Sequence, residues 1–167
     1  AHIQNMCGLR SATKLLESKD LENIADKMSD KLNDLIDPKT GIFYLAIDKK
    51  GPIPAISSDL LHSLFYLEPK DISKEQINKI LKFSKELETP IGYRTLSPKL
   101  TSKIKSGYHS QTVWPFEQAI INIGAKKFGL KHIEKVSSRI MKVLNTDSEL
   151  FIINEKIEKS GNDHQLW

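Results

Sequence analysis

The stretch that decides the fold is Gly107–Ala119, which reads Gly-Tyr-His-Ser-Gln-Thr-Val-Trp-Pro-Phe-Glu-Gln-Ala. It places a Tyr, a His and one of the two Trp residues of the chain directly before Pro115. Since the fixed φ of proline suits the first helical position, the stretch predicts an aromatic loop that runs into a helix N-terminus. A flat aromatic face beside hydrogen-bonding groups fits a sugar ring. The alternative is a loop whose aromatic side chains only cover the core.

The composition is that of a globular protein. The 167 residues are 39% hydrophobic and 28% charged, and no apolar run approaches the roughly 20 residues of a membrane span. The first residues do not resemble a signal peptide, and a single cysteine, Cys7, excludes an intramolecular disulfide. We therefore expect a cytoplasmic protein with a buried thiol and no membrane partner. Because the sequence does not begin with Met, we expect a piece of something longer.

The charge pattern argues against nucleic acid as a partner. The net charge of +4 comes from lysines spread over polar helix faces, and the densest patch, at Lys99, Lys103 and Lys105, lacks interleaved aromatic residues. The spacing of the histidines fits no metal site, so we expect no metal and no other cofactor. The histidines considered are His2, His62, His132 and His164.

Apolar residues at three–four spacing predict six helices in three pairs. We expect Asp20 to cap the second helix, Ser57 or Ser58 the third, and Ser73 with Gln76 to form a capping box for the fourth. Gly129 should end the fifth helix. The predicted helices are Ile3–Leu16 with Leu15 and Leu16 on its apolar side, Leu21–Ile36, a third that starts after Ser58 and ends before Pro69, a fourth after Ser73 through Leu87, Pro115–Phe128 and Lys131–Leu144.

Turns within the pairs are short and the connections between pairs are long. Ile42–Ile47 predicts a short strand, Glu88–Trp114 a long functional loop, and Thr146–Trp167 a loop-like tail. This is the plan of stacked α-hairpins, either an α-solenoid or a closed α/α toroid, with the long loops lining one face. The absence of a fixed-period repeat weakens the solenoid alternative.

Two motifs in this order resemble the C-terminal catalytic domain of glycogen debranching enzymes, which carries amylo-α-1,6-glucosidase activity. Glu88–Pro98 contains Thr-Pro-Ile-Gly-Tyr-Arg-Thr-Leu-Ser-Pro, close to the family pattern T-P-x-G-x-R-T-L-S-P. Tyr108–Pro115 follows the pattern Y-H-x-G-x-V-W-P, with Gln111 in the place of the usual Gly.

The resemblance covers nearly the whole chain but only about the C-terminal half of the family domain. Asp37–Tyr44 is similar to W-D-x-x-x-G-x-Y, and Ile56–Leu61 to R-P-N-Q-L-L. The tail, Asn154–Gly161 and Gln165–Trp167, is similar to the final E-x-x-x-G and Q-x-W of debranching enzymes and glucoamylases. The resemblance implies an all-α fold, the (α/α)6 toroid of six hairpins. Residues 1–167 would form a single partial domain with three of them.

The resemblance also implies an inverting mechanism, in which one carboxyl group is the general acid and another the general base. Glu155 aligns with the family's base, and Ile152 and Ile153 before it would desolvate the site and raise its pKa. Glu158 is the second choice, and a plain surface carboxylate is the alternative for Glu155. The general acid belongs to the earlier half of the family domain, so we expect the isolated chain not to hydrolyse glycosides.

Five side chains are predicted to bind substrate: Tyr108, His109, Trp114, Arg94 and Trp167. His109 would otherwise pack the loop, Trp114 anchor the helix, and Arg94 pin the loop through a carboxylate. Glu117, in the first turn of its helix, is either a group that supports the site or an ordinary helix-start charge.

The predicted function is a glycoside hydrolase of the debranching type that acts on an α-glucan or oligosaccharide. Glucoamylase, trehalase and mannosylglycerate hydrolase types are the nearest substrate alternatives. A non-catalytic carbohydrate-binding or helical interaction module is a second class, and a plain helical scaffold a third. The missing N-terminal half is the expected partner. We also expect self-association through exposed apolar faces.

Overall fold

The computed structural model describes residues 1–103, 110–144, 150–153 and 157–160, with side chains for 1–103 and 110–142. Short 3₁₀ turns lie at Leu32–Leu35, Pro69–Asp71 and Lys85–Leu87. The helices are α1 His2–Leu16, α2 Lys19–Asp30, α3 Asp59–Tyr66, α4 Lys74–Ser84, α5 Pro98–Thr101, α6 Pro115–Lys127, α7 Lys131–Ser137 and α8 Arg139–Leu144. The strands are β1 Ala46–Asp48, β2 Gly51–Ile53, β3 Glu88–Thr89, β4 Gly92–Tyr93, β5 Thr112–Val113, β6 Leu150–Ile153 and β7 Ile157–Ser160.

Helices α1 and α3 lie side by side and run parallel. Near the start of α1, the Gln4 amide donates to the Tyr66 hydroxyl at 3.3 Å. Two turns further along α1, the Arg10 guanidinium donates to Asp71, just beyond the end of α3, with Nη2 and Oδ1 2.8 Å apart. Later residues of one helix therefore contact later residues of the other, which defines the parallel direction.

Helix α6 is parallel to α3 on its other side. The Lys127 ammonium at the end of α6 donates to the Phe65 carbonyl near the end of α3, at 2.7 Å. Between them the two backbones approach closely at Gly124, where a Cβ atom would lie 2.7 Å from the Phe65 nitrogen. Glycine is required here because a side chain would push the helices apart. Helices α1, α3 and α6 thus form an arc, with their N-termini toward one end.

The remaining long helices return antiparallel behind this arc. His2 at the start of α1 bonds the Met28 carbonyl near the end of α2 at 2.9 Å. The Asn122 amide in α6 donates to the Glu134 carbonyl in α7 at 3.0 Å. Helix α4 follows α3 in the chain and packs against it to form the second helical hairpin. The predicted all-α class and three helical hairpins are therefore confirmed.

One hydrophobic core joins the hairpins. It is built from buried side chains of α1, α3 and α6 and of the helices behind them, and it also includes Tyr93 of strand β4. Its buried members include Met6, Leu61, Leu64, Leu67, Ile80, Leu87, Tyr93, Ile121, Ile133 and Val136.

An ion-pair network on Glu88 ties β3 to the third hairpin. The Glu88 carboxylate bonds the His132 ring at 2.9 Å and the Arg139 guanidinium at 2.8 Å. Arg139 also donates to the Thr89 carbonyl at 2.7 Å. Burial alone would raise the pKa of Glu88, but the hydrogen bonds from His132 and Arg139 together lower it below its usual value.

Predicted helix starts are mostly confirmed. The Ser73 nitrogen donates to Gln76 Oε1 at 2.7 Å and the Gln76 nitrogen to Ser73 Oγ at 3.2 Å, which is the predicted capping box. Pro115 begins α6, and Gly129 ends it with φ +68°. Ser58 occupies the N-cap position of α3 as predicted, but its side chain makes no cap hydrogen bond.

Helix boundaries differ from prediction at three places. Ser18 rather than Asp20 caps α2, and its hydroxyl accepts from the Leu21 nitrogen. The second helix ends at Asp30 and continues only as a 3₁₀ turn. The helix predicted at Lys131–Leu144 is divided at Ser138 into α7 and α8. The Ser138 hydroxyl donates to the Glu134 carbonyl at 2.7 Å and so competes with the backbone hydrogen bonds of the helix.

Other expectations fail because contacts distant in sequence override local pattern. Leu15 and Leu16 are 82% and 70% exposed, since no described element covers that end of α1. The predicted strand at Ile42–Ile47 is displaced to β1, which pairs with β2. The tail is not simply loop-like, because β6 and β7 extend a sheet that starts at β5. Within the described residues, none of the helices combines the length and apolarity of a membrane span.

Candidate functional site

The N-terminal ends of α3 and α6 meet the described residues 88–103 and 110–114. These residues include the short ordered elements β3, β4, α5 and β5, where one long loop was predicted. The Ser58 nitrogen donates to the Thr95 carbonyl at 2.8 Å, and the Thr95 nitrogen to the Thr112 carbonyl at 3.1 Å. An isolated bridge joins Ser57 to Leu96. The start of α3, the Thr95 segment and β5 are therefore held together at one end of the arc.

The β3–β4 hairpin is latched to α6 by Gln118. The buried Gln118 amide accepts from the Tyr93 nitrogen at 2.8 Å and donates to the Tyr93 carbonyl at 2.9 Å. Gly92 has φ +149°, and a Cβ atom there would lie 2.7 Å from Gln118 Oε1. The Thr-Pro-Ile-Gly-Tyr motif thus forms a clamp on α6. Sequence reasoning missed Gln118, whose one signal is an amide at an otherwise apolar helix position.

The Asp37–Gly41 motif forms a closed turn. The buried Asp37 carboxylate accepts from the Lys39 nitrogen at 3.0 Å and from the Thr40 hydroxyl at 2.9 Å. Gly41 has φ +73°, a conformation that glycine adopts without strain. This turn fixes the connection between the first two hairpins.

Arg94 is half-buried beside the clamp. Its Nη2 is 3.4 Å from the Thr101 hydroxyl, while its Nε is buried and has no hydrogen-bond partner among the described residues. Among the described residues no carboxylate lies within 4.0 Å of Arg94, so the predicted alternative of a carboxylate pin is not found there. Burial lowers the pKa of its guanidinium.

Trp114 is half-buried at the N-cap of α6, with extended backbone angles of φ −91° and ψ 125°. It directly follows β5 and precedes Pro115. Trp114 therefore lies at the junction between β5 and α6. This position is compatible with both alternatives for its side chain, a stacking surface for a sugar ring and an anchor for the helix.

Glu117 lies in the first turn of α6, against the start of α3. Its Oε2 is buried, and no hydrogen-bond partner for it lies in the part of the chain that the structure describes. Burial raises the pKa of Glu117 to about 7; the Ser58 hydroxyl opposes this shift, and the nearby Asp59 carboxylate adds to it. Glu117 is thus a buried carboxyl rather than an ordinary helix-start charge.

A second polar group lies at the start of α3. The Ser57 hydroxyl donates to Asp59 Oδ2 at 3.1 Å, and Asp59 Oδ1 lies 4.0 Å from His62 Nδ1. Burial lowers the pKa of His62, with Asp59 opposing the shift. His62 Nε2 is buried and, within the described residues, has no hydrogen-bond partner.

Four predicted site residues, Tyr108, His109, Glu155 and Trp167, lie outside the described residues. The strands around residue 155 are described: β6 pairs antiparallel with β7, with Ile153 opposite Ile157. Strand β6 also pairs with β5, with Phe151 opposite Val113. The strand that precedes Glu155 is therefore the direct neighbour of the strand that precedes Trp114.

Among the described residues, no group of three or more His, Cys, Asp or Glu side chains is placed to hold a metal ion.

No protein-family model matches the sequence, and no curated protein matches it. Its structure is similar to that of a GH63 mannosylglycerate hydrolase from Thermus thermophilus, solved in complex with glucose, with a TM-score of 0.69 and 13% identity. The alignment covers 93% of this chain and 39% of that one. The neutral trehalase of Saccharomyces cerevisiae gives a TM-score of 0.61 and 17% identity, over 75% of this chain and 25% of that one.

The fold is that of an α/α toroid. The described hairpins form an arc of the toroid, and the chain spans well under half the length of either neighbour. The polar and aromatic groups described above lie at the end of the arc to which the N-termini of α3 and α6 point.

Proposed function

We propose that this chain is part of a glycoside hydrolase that cleaves α-linked glucans, of the amylo-α-1,6-glucosidase (debranching) type. The observation that carries the proposal is the pairing of β5 with β6, which sets the strand before Glu155 beside the strand before Trp114. The names of the two toroid neighbours, a trehalase and a mannosylglycerate hydrolase, support glycoside hydrolysis in general. The debranching specificity rests on the sequence motifs.

In this proposal Glu155 is the general base. It takes a proton from a water molecule as the water oxygen bonds to the anomeric carbon, while a protonated carboxyl on the opposite face gives its proton to the departing glycosidic oxygen. The anomeric configuration is inverted. Trp114 and Tyr108 provide aromatic faces for the sugar, and Arg94, His109 and Trp167 contact it. In this proposal the half-buried Arg94 guanidinium donates to a sugar hydroxyl through its terminal N–H groups.

The general acid is supplied by the rest of the toroid, which we propose to be the N-terminal half of the same cytoplasmic polypeptide. Glu117 has the raised pKa of an acid, but its Oε2 is buried, so it is poorly placed to reach a glycosidic oxygen. This observation favours a second candidate function for the chain on its own, namely carbohydrate binding without turnover.

Two assays separate these functions. The isolated chain, incubated with panose and maltooligosaccharides, is expected to bind sugar by titration calorimetry and to release no glucose. Robust glucose release would show that the chain contains its own general acid and would contradict the proposal.

The second assay uses the intact natural polypeptide. The Glu155→Gln variant should lose at least about a thousandfold in kcat with little change in panose affinity, as expected for removal of a general base. Glu158→Gln, three residues away, is the matched control and should retain activity. Equal loss in both variants, or loss only in Glu158→Gln, would overturn the assignment of Glu155.

A further inference from the structure

A cavity of about 400 Å³ opens between α1, the start of α3 and the residues that precede β1. Its volume lies in the range of small-molecule sites in proteins and is large enough for a sugar ring. Tyr44 and Tyr66 both line the cavity, and both are half-buried. The cavity therefore offers aromatic surface against which the C–H groups of a ring can pack.

Asp59 supplies a carboxylate to the same cavity. Its side chain is 65% exposed, and the Ser57 hydroxyl donates to its Oδ2 at 3.1 Å. His62 Nδ1 lies 4.0 Å from the other oxygen, Oδ1. Because a carboxylate has about four acceptor sites, Asp59 can accept hydrogen bonds from a ligand without releasing Ser57.

Two other carboxyl groups of the site are not available in this way. Asp37 is buried and accepts hydrogen bonds within its own turn, and Glu117 Oε2 is buried. Asp59 is close enough to Glu117 to help raise the pKa of that carboxyl, and Glu117 follows Trp114 by three residues in α6. Asp59 therefore lies between the cavity and the turn that carries Trp114.

Within the described residues, no lysine or arginine offsets the charge of Asp59. Their nitrogen atoms lie more than 4.0 Å from its carboxylate, and burial lowers the pKa of its neighbour His62, which favours the neutral ring. Hydroxyl donors satisfy such a carboxylate, whereas an anionic ligand is repelled by it. A neutral sugar has both the donors for Asp59 and a ring for the two tyrosines.

We propose that the cavity is a sugar subsite in which Asp59 accepts hydrogen bonds from the hydroxyls of a neutral hexose, and that Asp59 selects neutral over acidic sugars. This inference rests on the proposed function, to which it adds a second sugar position beside Trp114. Tyr44 and Tyr66 border the ring. Ser57 is a positioning residue, because its hydroxyl holds the carboxylate of Asp59 in place.

The test is titration calorimetry of the intact natural polypeptide with glucose and with glucuronic acid, which differ by a carboxylate at C6. Wild type should bind glucose at least about tenfold more tightly than glucuronic acid. Asp59→Asn keeps the size of the side chain and an acceptor for Ser57 but removes the charge. It should weaken glucose binding about tenfold, as expected when a hydrogen bond to a charged group is lost, and bring the two affinities within about threefold of each other.

Asp48→Asn is the matched control. Asp48 is also exposed and accepts one hydrogen bond, from the Lys50 nitrogen, but it lies at the tip of the β1–β2 hairpin and does not line the cavity. This variant should leave both affinities unchanged. Ser57→Ala leaves the charge of Asp59 but removes its positioning hydrogen bond, so it should weaken glucose binding and keep the preference for glucose. Melting temperatures check that each variant is folded.

Equal affinity of wild type and Asp59→Asn for glucose would overturn the proposal. So would a preference for glucose that survives in Asp59→Asn, or a wild type that binds no glucose.

Failure of the proposed function gives a different result. A polypeptide that binds glucose through Asp59 but releases no glucose from panose would contradict the hydrolase proposal and leave the sugar subsite in place. Hydrolysis of panose with kcat and KM unchanged in Asp59→Asn would support the hydrolase and contradict the subsite.

Discussion

The Glu117→Gln variant should remove a pH dependence from the stability of the protein. The Glu117 carboxyl has its pKa raised from 4.5 to about 7, chiefly by burial. Between these values the folded protein holds a proton that the unfolded chain has lost, so the free energy of unfolding falls as the pH rises from about 4.5 to 7. Above about pH 7 this contribution becomes constant.

The size of the effect follows from the pKa difference. A shift of about 2.5 pH units, at about 1.4 kcal/mol per unit, corresponds to roughly 3 kcal/mol. Glutamine keeps the size of the side chain and an oxygen that accepts from the Ser58 hydroxyl, but it cannot ionise. Relative to wild type, Glu117→Gln should therefore gain about 2.5 kcal/mol between pH 5 and pH 8, because at pH 5 the unfolded carboxyl is already mostly deprotonated.

Urea unfolding followed by circular dichroism at pH 5, 6, 7 and 8 measures this difference. Glu75→Gln is the matched control, because Glu75 is also in the first turn of a helix, α4, but is exposed. Asp71 and Glu88, whose pKa values are lowered, act alike in both proteins and cancel in the comparison. A difference between wild type and Glu117→Gln that is constant with pH, or that changes in the opposite direction, would refute the account.

Three further predictions concern the clamp on α6. Gly92→Ala should lower the free energy of unfolding in urea by at least about 2 kcal/mol, because it adds a steric clash to an unfavourable φ. Gly51→Ala is the control, since that site has φ +119° but open space around it, and an equal loss of stability in both variants would contradict the clash. Gln118→Met should cost about 2–3 kcal/mol, because it leaves both polar atoms of the Tyr93 backbone unpaired, and a neutral result would contradict the latch. Glu88→Gln should lower the free energy of unfolding by roughly 1 kcal/mol at pH 7, because it removes the ion pairs with His132 and Arg139. The difference in stability from wild type should vanish as the pH falls through the lowered pKa of Glu88, and a difference that persists in strong acid would count against the ion pairs.

Features specified by residues close in sequence could be predicted. The capping box at Ser73 and the helix start at Pro115 each depend on a few adjacent residues, and both are found. The alternation of short and long connections predicted three hairpins, since a short turn can only return the chain antiparallel to itself. The toroid itself was reached by resemblance, and the structural neighbours bear it out.

Features that depend on contacts between residues distant in sequence could not be predicted. Strand β6 pairs with β5 across nearly 40 positions of sequence, and no residue pattern in the tail indicates that β5 is its neighbour. Leu15 and Leu16 have the spacing of a buried face, but periodicity does not tell which end of a helix has a neighbour. Likewise, the sequence places the Gln118 amide at an otherwise apolar helix position but does not show that the Tyr93 backbone is its partner.

The central claim, that Glu155 acts as the base of an inverting α-glucosidase, makes a stereochemical prediction. The most direct measurement is proton NMR of the first glucose released from panose by the intact natural polypeptide, before mutarotation mixes the anomers. The account predicts β-glucose as the first product, since water attacks the face opposite the departing oxygen. Release of α-glucose first would contradict it.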